Sequence, residues 1–271
     1  MGKQKIKLTA EKETLLVPLF SKAIESQKSR HIIFDPKAED ILQKVEYNFK
    51  DLKIPRQTLI TLAIRAKKLD SYVNDYLLCN DNPLVLHLGC GLDSRFLRVG
   101  FDKGMWYDID YPDVIELRRK FYSETNTYHM IESSVTEQGW LERMPVTSNP
   151  ACIVAEGLLM YLREDDVKNL FLNLQSRFPG SEIVFDVYSR LTAKGANRHP
   201  SIKKTGAYIH WGIDNASLIE DWGTGMQLLD EWYFTDSEDI SFLKMRDRIL
   251  FKTMSLFKVA KRAHRILRIR L

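Results

Sequence analysis

Residues 84–95, Leu-Val-Leu-His-Leu-Gly-Cys-Gly-Leu-Asp-Ser-Arg, are the most informative segment of the chain for its architecture. Its apolar first half predicts a buried strand that runs directly into a Gly-x-Gly turn. Because Gly89 and Gly91 have no Cβ atom, the main chain there can approach a bound nucleotide-type molecule closely. Ser94 and Arg95 stand where a dinucleotide fingerprint has its third glycine, so the turn does not predict close contact between a helix and a pyrophosphate.

A second apolar run ends in the acidic segment Trp-Tyr-Asp-Ile-Asp-Tyr-Pro, residues 106–112. Asp108 follows Gly89 by 19 residues, close to the spacing of about 20 at which a carboxylate on the second parallel strand reaches ribose hydroxyls. Pro112 is suited to the first turn of a helix. Either Asp108 or Asp110 is therefore a candidate ribose ligand. The alternative is that both acids stabilise the amino terminus of the following helix.

A third apolar run, residues 151–162, contains Glu156-Gly157. Together the three segments resemble the successive motifs of the leucine carboxyl methyltransferase family. These are class I S-adenosylmethionine-dependent O-methyltransferases and include phosphatase-directed enzymes and tetracenomycin-type polyketide O-methyltransferases. The resemblance is carried by Gly-Cys-Gly-Leu-Asp-Ser-Arg (89–95), Tyr-Asp-Ile-Asp-Tyr-Pro (107–112), Glu-Gly-Leu-Leu-Met-Tyr-Leu (156–162), Phe-Asp-Pro-Lys-Ala (34–38) and Ala-Ile-Arg-Ala-Lys-Lys-Leu-Asp (63–70).

The resemblance implies S-adenosylmethionine as the cofactor and assigns a role to each motif. Arg65 stands where the family binds the cofactor carboxylate, for which a guanidinium is well matched; the alternative is a surface arginine paired with an acid. Glu156 ends an apolar strand, where an unpaired carboxylate would be costly, so a cationic ligand is expected beside it. The full set of cofactor-binding candidates is Arg65, Gly89, Cys90, Gly91, Asp93, Arg95, Asp108, Asp110, Ser133, Ser134, Glu156 and Gly157, with Ser133 and Ser134 expected near the adenine.

His210 and Tyr161 are the candidates for a catalytic role at the methyl acceptor. A phenolic acceptor would need a general base, whereas a carboxylate acceptor is already ionised at neutral pH. No His–Asp or Lys–Asp pair is evident in the sequence, and a histidine beside Trp211 is also compatible with a structural role. A group of aromatic residues favours either a planar acceptor or plain core packing: Trp211, Trp222, Trp232, Tyr233 and Phe234.

The alternation of strand and helix patterns predicts an α/β fold with a parallel, doubly wound sheet. The resemblance extends this to a seven-stranded, Rossmann-like class I methyltransferase sheet whose last strand is antiparallel. We expect one domain, residues 1–271, with an N-terminal helical cap (1–80), a core (81–271) and an acceptor-pocket insertion at about 190–225. Thr235 to Glu238 form a capping-box pattern that predicts the start of a helix there.

Residues 244–271 carry ten lysines and arginines and a single acid, Asp247. A basic amphipathic helix that docks on anionic lipid is one interpretation of this segment. The strict alternation over residues 264–271 favours the other interpretation, in which the chain ends in a sheet strand.

The composition limits the classes of function. Forty Lys and Arg against 36 Asp and Glu give a net charge of +4, too small a bias to indicate nucleic acid. Three cysteines show no metal-binding spacing and fit a reducing, cytoplasmic setting. The basic amino terminus has no apolar signal core, and no run of about 18 apolar residues occurs, so neither export nor a membrane span is expected.

An O-methyltransferase acting on a carboxylate or phenolic hydroxyl of a small secondary metabolite is the leading hypothesis. The alternative is a protein C-terminal carboxyl methyltransferase. A third hypothesis, a nicotinamide-dependent oxidoreductase, is supported by the Gly-x-Gly turn alone. The fourth hypothesis is a non-catalytic cofactor-binding protein. The oligomeric state stays open.

Overall fold

The strands of the central sheet follow the apolar runs of the sequence closely. The computed structural model describes residues 4–5, 15–49, 54–144, 149–198 and 206–271. A short parallel pair, β1 (Gln4–Lys5) with β2 (Val45–Glu46), lies apart from the sheet. The sheet strands are β3 (Leu84–Leu88), β4 (Met105–Asp110), β5 (Tyr128–Glu132), β6 (Cys152–Ala155), β7 (Glu182–Tyr188), β8 (Gln227–Tyr233) and β9 (His264–Arg270).

The seven strands are ordered β5-β4-β3-β6-β7-β9-β8. Strands β3 to β7 are parallel, and β9 runs antiparallel to both of its neighbours. The chain leaves β3 towards one edge of the sheet and β6 towards the other, which makes the gap between them the topological switch point. Ligands of open α/β sheets bind at such a point, outside the carboxyl ends of the strands. The expected doubly wound, seven-stranded fold with an antiparallel last strand is confirmed.

Helices cover both faces of the sheet, as a parallel sheet requires. Alternate strand residues therefore enter two different cores: Val85 packs with α1 to α3, whereas Leu84, Leu86 and Leu88 pack with α7 on the other face. The α-helices are α1 (Leu16–Ser26), α2 (Pro36–Lys44), α3 (Arg56–Leu78), α4 (Arg95–Arg98), α5 (Pro112–Arg118), α6 (Gly139–Glu142), α7 (Glu164–Arg177), α8 (Arg190–Ala196), α9 (Met245–Leu256) and α10 (Lys258–Lys261).

Four short 3-10 helices complete the described structure: Leu159–Tyr161, Ala216–Trp222, Phe234–Asp236 and Glu238–Phe242. The prediction that a helix starts at Thr235 is wrong. Ser237 caps only the 3-10 turn Glu238–Phe242, and α9 begins at Met245. Helices α1, α2 and α3 precede the sheet in the chain, while residues 6–14 and part of the 190–225 segment lie outside the described residues. None of the described helices combines the length and the apolarity that a membrane span requires.

Candidate active site

A cavity of about 650 Å³ opens at the carboxyl ends of β3, β4, β6 and β7. The Gly-x-Gly turn after β3 and the Glu156-Gly157 segment after β6 form its floor at the switch point. Helices α1 and α3 supply further wall residues. Its charged and titratable lining residues, apart from tyrosines and Cys90, are Lys22, Arg65, His87, Asp93, Asp110, Glu156 and His210.

The turn after β3 requires its two glycines. Gly89 and Gly91 have φ angles of 63° and 51°, in the left-handed region that side-chain-bearing residues rarely adopt. A Cβ atom on Gly89 would also lie 2.9 Å from the side chain of Leu158. The Gly91 amide donates to Asp110 Oδ2 at 2.8 Å, which fixes the turn to the end of β4. The turn therefore places main chain against the cavity floor.

The structure separates the two candidate ribose ligands. Asp110, at the end of β4, lines the cavity, and burial raises its pKa. Asp108 does not line the cavity and is fully buried beneath it. Its carboxylate pairs with Arg118 at 2.5 Å and accepts from Tyr128 Oη at 2.5 Å. The geometry therefore favours Asp110 over Asp108 for a ribose contact, and Asp108 is placed as an internal anchor.

Arg65 is a buried residue of the cavity wall, so the alternative of a surface helix arginine is wrong. Only 4% of it is exposed. Its Nε atom donates to Glu156 Oε1 at 3.1 Å, and its Nη1 atom donates to Asp186 Oδ2 at 2.9 Å. Burial by itself would lower the pKa of Arg65, but the two carboxylates outweigh it and hold that pKa above its usual value. The guanidinium is therefore charged and fixed in orientation.

Glu156 is already paired with two arginines, so its burial does not by itself require the cationic ligand that the sequence argument expected beside it. Arg65 and Arg95 both donate to it. Burial alone would raise its pKa, but the two arginines bring that pKa below the usual value. Glu156 nonetheless lines the cavity, whereas Arg95 is fully buried and does not. Arg95 thus acts on the site only through the groups it holds, since it also binds Asp70 at 2.7 Å.

Lys22 is a cavity residue that the sequence interpretation missed. It comes from α1, is 2% exposed and pairs with Asp93 at 2.9 Å. Asp93 also lines the cavity and accepts from Arg98 at 2.6 Å. Burial would raise the pKa of Asp93, but its cationic neighbours keep it well below its usual value. The one sequence signal was the position of Lys22 three residues after Leu19, on the apolar side of α1.

The remaining cofactor candidates divide into two groups. Cys90 and Gly157 line the cavity. Burial raises the pKa of the Cys90 thiol. A Cβ atom on Gly157 would lie 3.1 Å from Arg65 Nη2. Ser133 and Ser134 do not line it. Their hydroxyl groups instead contact Glu137 and Thr136 within their own loop.

A second wall of the cavity is apolar and aromatic. It is built by the segment after β6 and by residues 206–210, which are joined where the His210 amide donates to Met160 O at 2.9 Å. The His210 ring lies 4.7 Å from the ring of Tyr208, centroid to centroid. The lining residues of this wall are Leu158, Met160, Tyr161, Leu162, Tyr188, Tyr208, Ile209 and His210.

The five aromatic residues that suggested a planar acceptor do not line the cavity. Trp211 is 1% exposed and packs near Phe185 and Trp222 in the core. The core-packing alternative is therefore correct for Trp211, Trp222, Trp232 and Phe234, whereas Tyr233 is half-buried and its ring faces Lys261. The aromatic groups that do line the cavity belong to Tyr111, Tyr161, Tyr188, Tyr208, His87 and His210.

Within the described residues, His87 and His264 are each hydrogen-bonded to an aspartate, which the sequence did not reveal. His87 Nδ1 lies 3.2 Å from Asp108 Oδ1, while its Nε2 atom lies 3.3 Å from Arg95 Nη1 and so serves as an acceptor. His264 Nε2 lies 2.7 Å from Asp186 Oδ2, away from the cavity lining. Both rings are engaged by neighbouring side chains. Neither pair offers a free base to a molecule in the cavity.

Comparison with known proteins agrees with this geometry. A sequence model of the leucine carboxyl methyltransferase family matches residues 16–175. The chain is 34% identical over 264 residues to the tetracenomycin polyketide synthesis O-methyltransferase TcmP of Streptomyces glaucescens, with 97% of each chain covered. It is 28% identical over 254 residues to the S-adenosyl-L-methionine-dependent methyltransferase dpfgK of Gibberella zeae, with 86% of this chain and 85% of the relative covered.

The fold has solved counterparts. A DUF574 family protein from Streptomyces avermitilis superimposes with a TM-score of 0.57 at 10% identity, over 94% of this chain and 96% of that one. The sequence matches extend along nearly the whole chain and include the motifs that line the cavity, which decides against a nicotinamide enzyme. The chain therefore belongs to the leucine carboxyl methyltransferase family and is an S-adenosylmethionine-dependent methyltransferase.

Proposed function

We propose that this O-methyltransferase methylates a carboxylate or phenolic oxygen of a largely apolar, planar secondary metabolite. The observation that carries the proposal is the division of one cavity into a charged floor and an aromatic, apolar wall. The floor suits a polar cofactor, and the wall suits an apolar ring system. The names of the two curated relatives, a polyketide O-methyltransferase and a fungal methyltransferase, support an acceptor of this class.

The residues of the floor fit S-adenosylmethionine group by group. Arg65 and Lys22 are the cations that would hold its carboxylate, and Glu156 with the Gly89 main chain would hold its amino group. Asp110 would accept from the ribose hydroxyls. The turn requires glycine at this position, because a Cβ atom on Gly89 would lie 2.9 Å from Leu158. When bound, the cofactor supplies a methyl group activated by a sulfonium.

The chain's own residues contribute mainly alignment and exclusion of water. The buried pairs that hold Arg65 and Glu156 fix the floor in place before any ligand arrives. Met160 and Ile209 line the apolar wall of the cavity and belong to a small apolar cluster. An acceptor ring lying there would be oriented by shape and would lose its water shell. An ionised oxygen then needs no base from the protein.

A cytoplasmic location is part of the proposal. Cys79, Cys90 and Cys152 are all unpaired thiols. Free thiols of this kind are typical of reducing compartments.

The acceptor class is tested with a radiolabelled methyl donor and two sets of acceptors. One set contains aromatic carboxylic acids and phenols, and the other contains peptides that end in leucine. We expect label in the aromatic set. Exclusive labelling of the peptide carboxyl termini would overturn the small-molecule proposal and favour a protein carboxyl methyltransferase.

Cofactor selectivity gives a direct measurement. Titration calorimetry is expected to show S-adenosylhomocysteine binding in the micromolar range, a free energy of about −8 kcal/mol. NAD is expected to give no comparable heat, because the turn lacks the third glycine of a dinucleotide site. Tight NAD binding without S-adenosylhomocysteine binding would contradict the cofactor assignment.

The pH dependence of turnover distinguishes the two acceptor oxygens. A carboxylate with a pKa of about 4 is fully ionised from about pH 6 upward, so we expect initial rates to stay flat to about pH 9. His210→Ala should then change KM more than kcat. A phenol would instead need a base, and loss of that base should slow turnover by about 10²- to 10⁴-fold. A steep rise near pH 7 that disappears in His210→Ala would exclude the base-free carboxylate mechanism.

A further inference from the structure

Helix α9 and the start of α10 present apolar side chains to solvent. The core receives only one side of α9, where Asp247 and Phe251 are buried. On the other side Met245, Ile249 and Leu256 are 62%, 55% and 79% exposed. These three positions fall within about 40° of one another around a helix of 100° per residue. Phe257 and Val259 continue the exposed apolar surface at 61% and 68%. We call these five residues the outer face.

Basic residues surround the outer face. The segment 244–262 contains seven lysines and arginines and one acid, Asp247. Asp247 is 2% exposed and accepts from Arg56 Nε at 2.8 Å, so its charge is compensated on the inner side of the helix. Lys261 pairs with Asp236 at 2.8 Å. The other six basic residues of the segment are Lys244, Arg246, Arg248, Lys252, Lys258 and Arg262.

We propose that the outer face docks on the surface of an anionic lipid bilayer. Exposed Met, Ile, Leu, Phe and Val side chains interleaved with lysine and arginine match the boundary between acyl chains and anionic headgroups. A second copy of this chain fits less well, because a symmetric contact would oppose two sets of like charges. The docking is peripheral, and it does not depend on which acceptor the enzyme methylates.

The helix that carries the outer face also contacts the segment that forms part of the cavity wall. Asp247 of α9 holds Arg56, the first residue of α3. Ile54, Pro55 and Thr58 of the same segment line the cavity. An enzyme docked through α9 would therefore hold this wall segment close to the lipid.

Vesicle flotation tests the proposal with the full chain. The two vesicle types are phosphatidylcholine alone and equal parts of phosphatidylcholine and phosphatidylglycerol. At low salt we expect at least tenfold more protein bound to the anionic vesicles, with binding that weakens as salt is added. The double variant Ile249→Glu, Leu256→Glu should lose at least tenfold in binding. Leu78→Glu, at a site that is 86% exposed, is the matched control and should bind like the wild type.

Reversing the charge of one lysine on α9 provides a second test of the proposal. Lys252→Glu removes one attraction and adds one repulsion, which we expect to weaken anionic binding by about five- to thirtyfold. Lys168→Glu makes the same change on α7 and should have little effect. All the sites are exposed, and circular dichroism checks that each variant is folded. Absent binding, equal binding to both vesicle types, or equal loss in the control variants would overturn the proposal. A dimer seen by sedimentation and abolished by Ile249→Glu would overturn it in favour of self-association.

Discussion

Asp108→Ala is expected to lower the free energy of unfolding by about 3–5 kcal/mol, the cost of removing one partner from a buried ion pair. Asp108 and Arg118 are both fully buried, so the variant leaves the Arg118 guanidinium without its carboxylate. Tyr128 and Trp106 lose their acceptor at the same time. No cofactor needs to be present for this effect. Urea unfolding of the free enzyme measures it.

Asp110→Ala provides the matched comparison from the same strand. We expect it to weaken S-adenosylhomocysteine binding by about 1–3 kcal/mol, because ribose hydroxyls would be left without an acceptor. Its effect on unfolding should be smaller than that of Asp108→Ala, because no ion pair is broken. If Asp108→Ala unfolds at the wild-type urea concentration, or if Asp110→Ala binds the ligand as the wild type does, the assignment of the two carboxylates is wrong.

Asp108 and Asp110 show what a sequence spacing can and cannot determine. Asp108 and Asp110 lie two positions apart on one strand. Their side chains therefore point to the same face, and the alternation of the strand cannot distinguish them. They differ in depth, by about 6.6 Å at the usual rise of 3.3 Å per residue. The spacing rule selects the first acid. The crevice lies at the end of the strand, where the second acid is.

Strands β3, β4 and β6 were predictable because each is the short apolar run that leads into one of the three motif segments of the sequence. The antiparallel last strand also follows the alternation of residues 264–271. The start of the helix before it was not predictable, because Ser237 satisfies a local cap that ends after one short turn. A capping pattern determines where a turn can begin but does not determine how long it lasts.

The ion-pair network of the site depends on contacts that no local pattern contains. Arg65 and Asp186 are 121 residues apart, and Arg65 and Glu156 are 91 apart. Motif resemblance identified the two residues that line the cavity. It gave no signal for Asp186, which sits behind them and also accepts from the Gly157 amide at 2.6 Å. Residues that contact a ligand leave a motif, whereas residues that hold them in place are recognised only once the chain is folded.

Arg65→Met is expected to lower the free energy of unfolding by about 3–5 kcal/mol at about pH 7.5. Methionine occupies much of the same space, so the dominant change is electrostatic. Asp186 is fully buried and loses its arginine partner, while the nearly buried Glu156 keeps only Arg95. Arg190→Met is the matched control, because its pair with Glu164 is more than half exposed. Such a surface pair contributes about 0–1 kcal/mol.

The pH dependence of this difference separates charge from packing. In the wild type, burial would raise the pKa of Asp186 and Glu156, but Arg65 is the main cation that brings both below their usual values. A depressed pKa contributes stability that is present above the unfolded-state pKa of about 4 and is lost as the pH falls through the folded-state pKa. Without Arg65 both pKa values rise, so the variant takes up protons at a higher pH and loses less stability on acidification. The gap between wild type and variant should therefore narrow as the pH falls below about 5, which urea unfolding from pH 7.5 to pH 3 measures. A gap of constant size would show that Arg65 stabilises the fold by filling space.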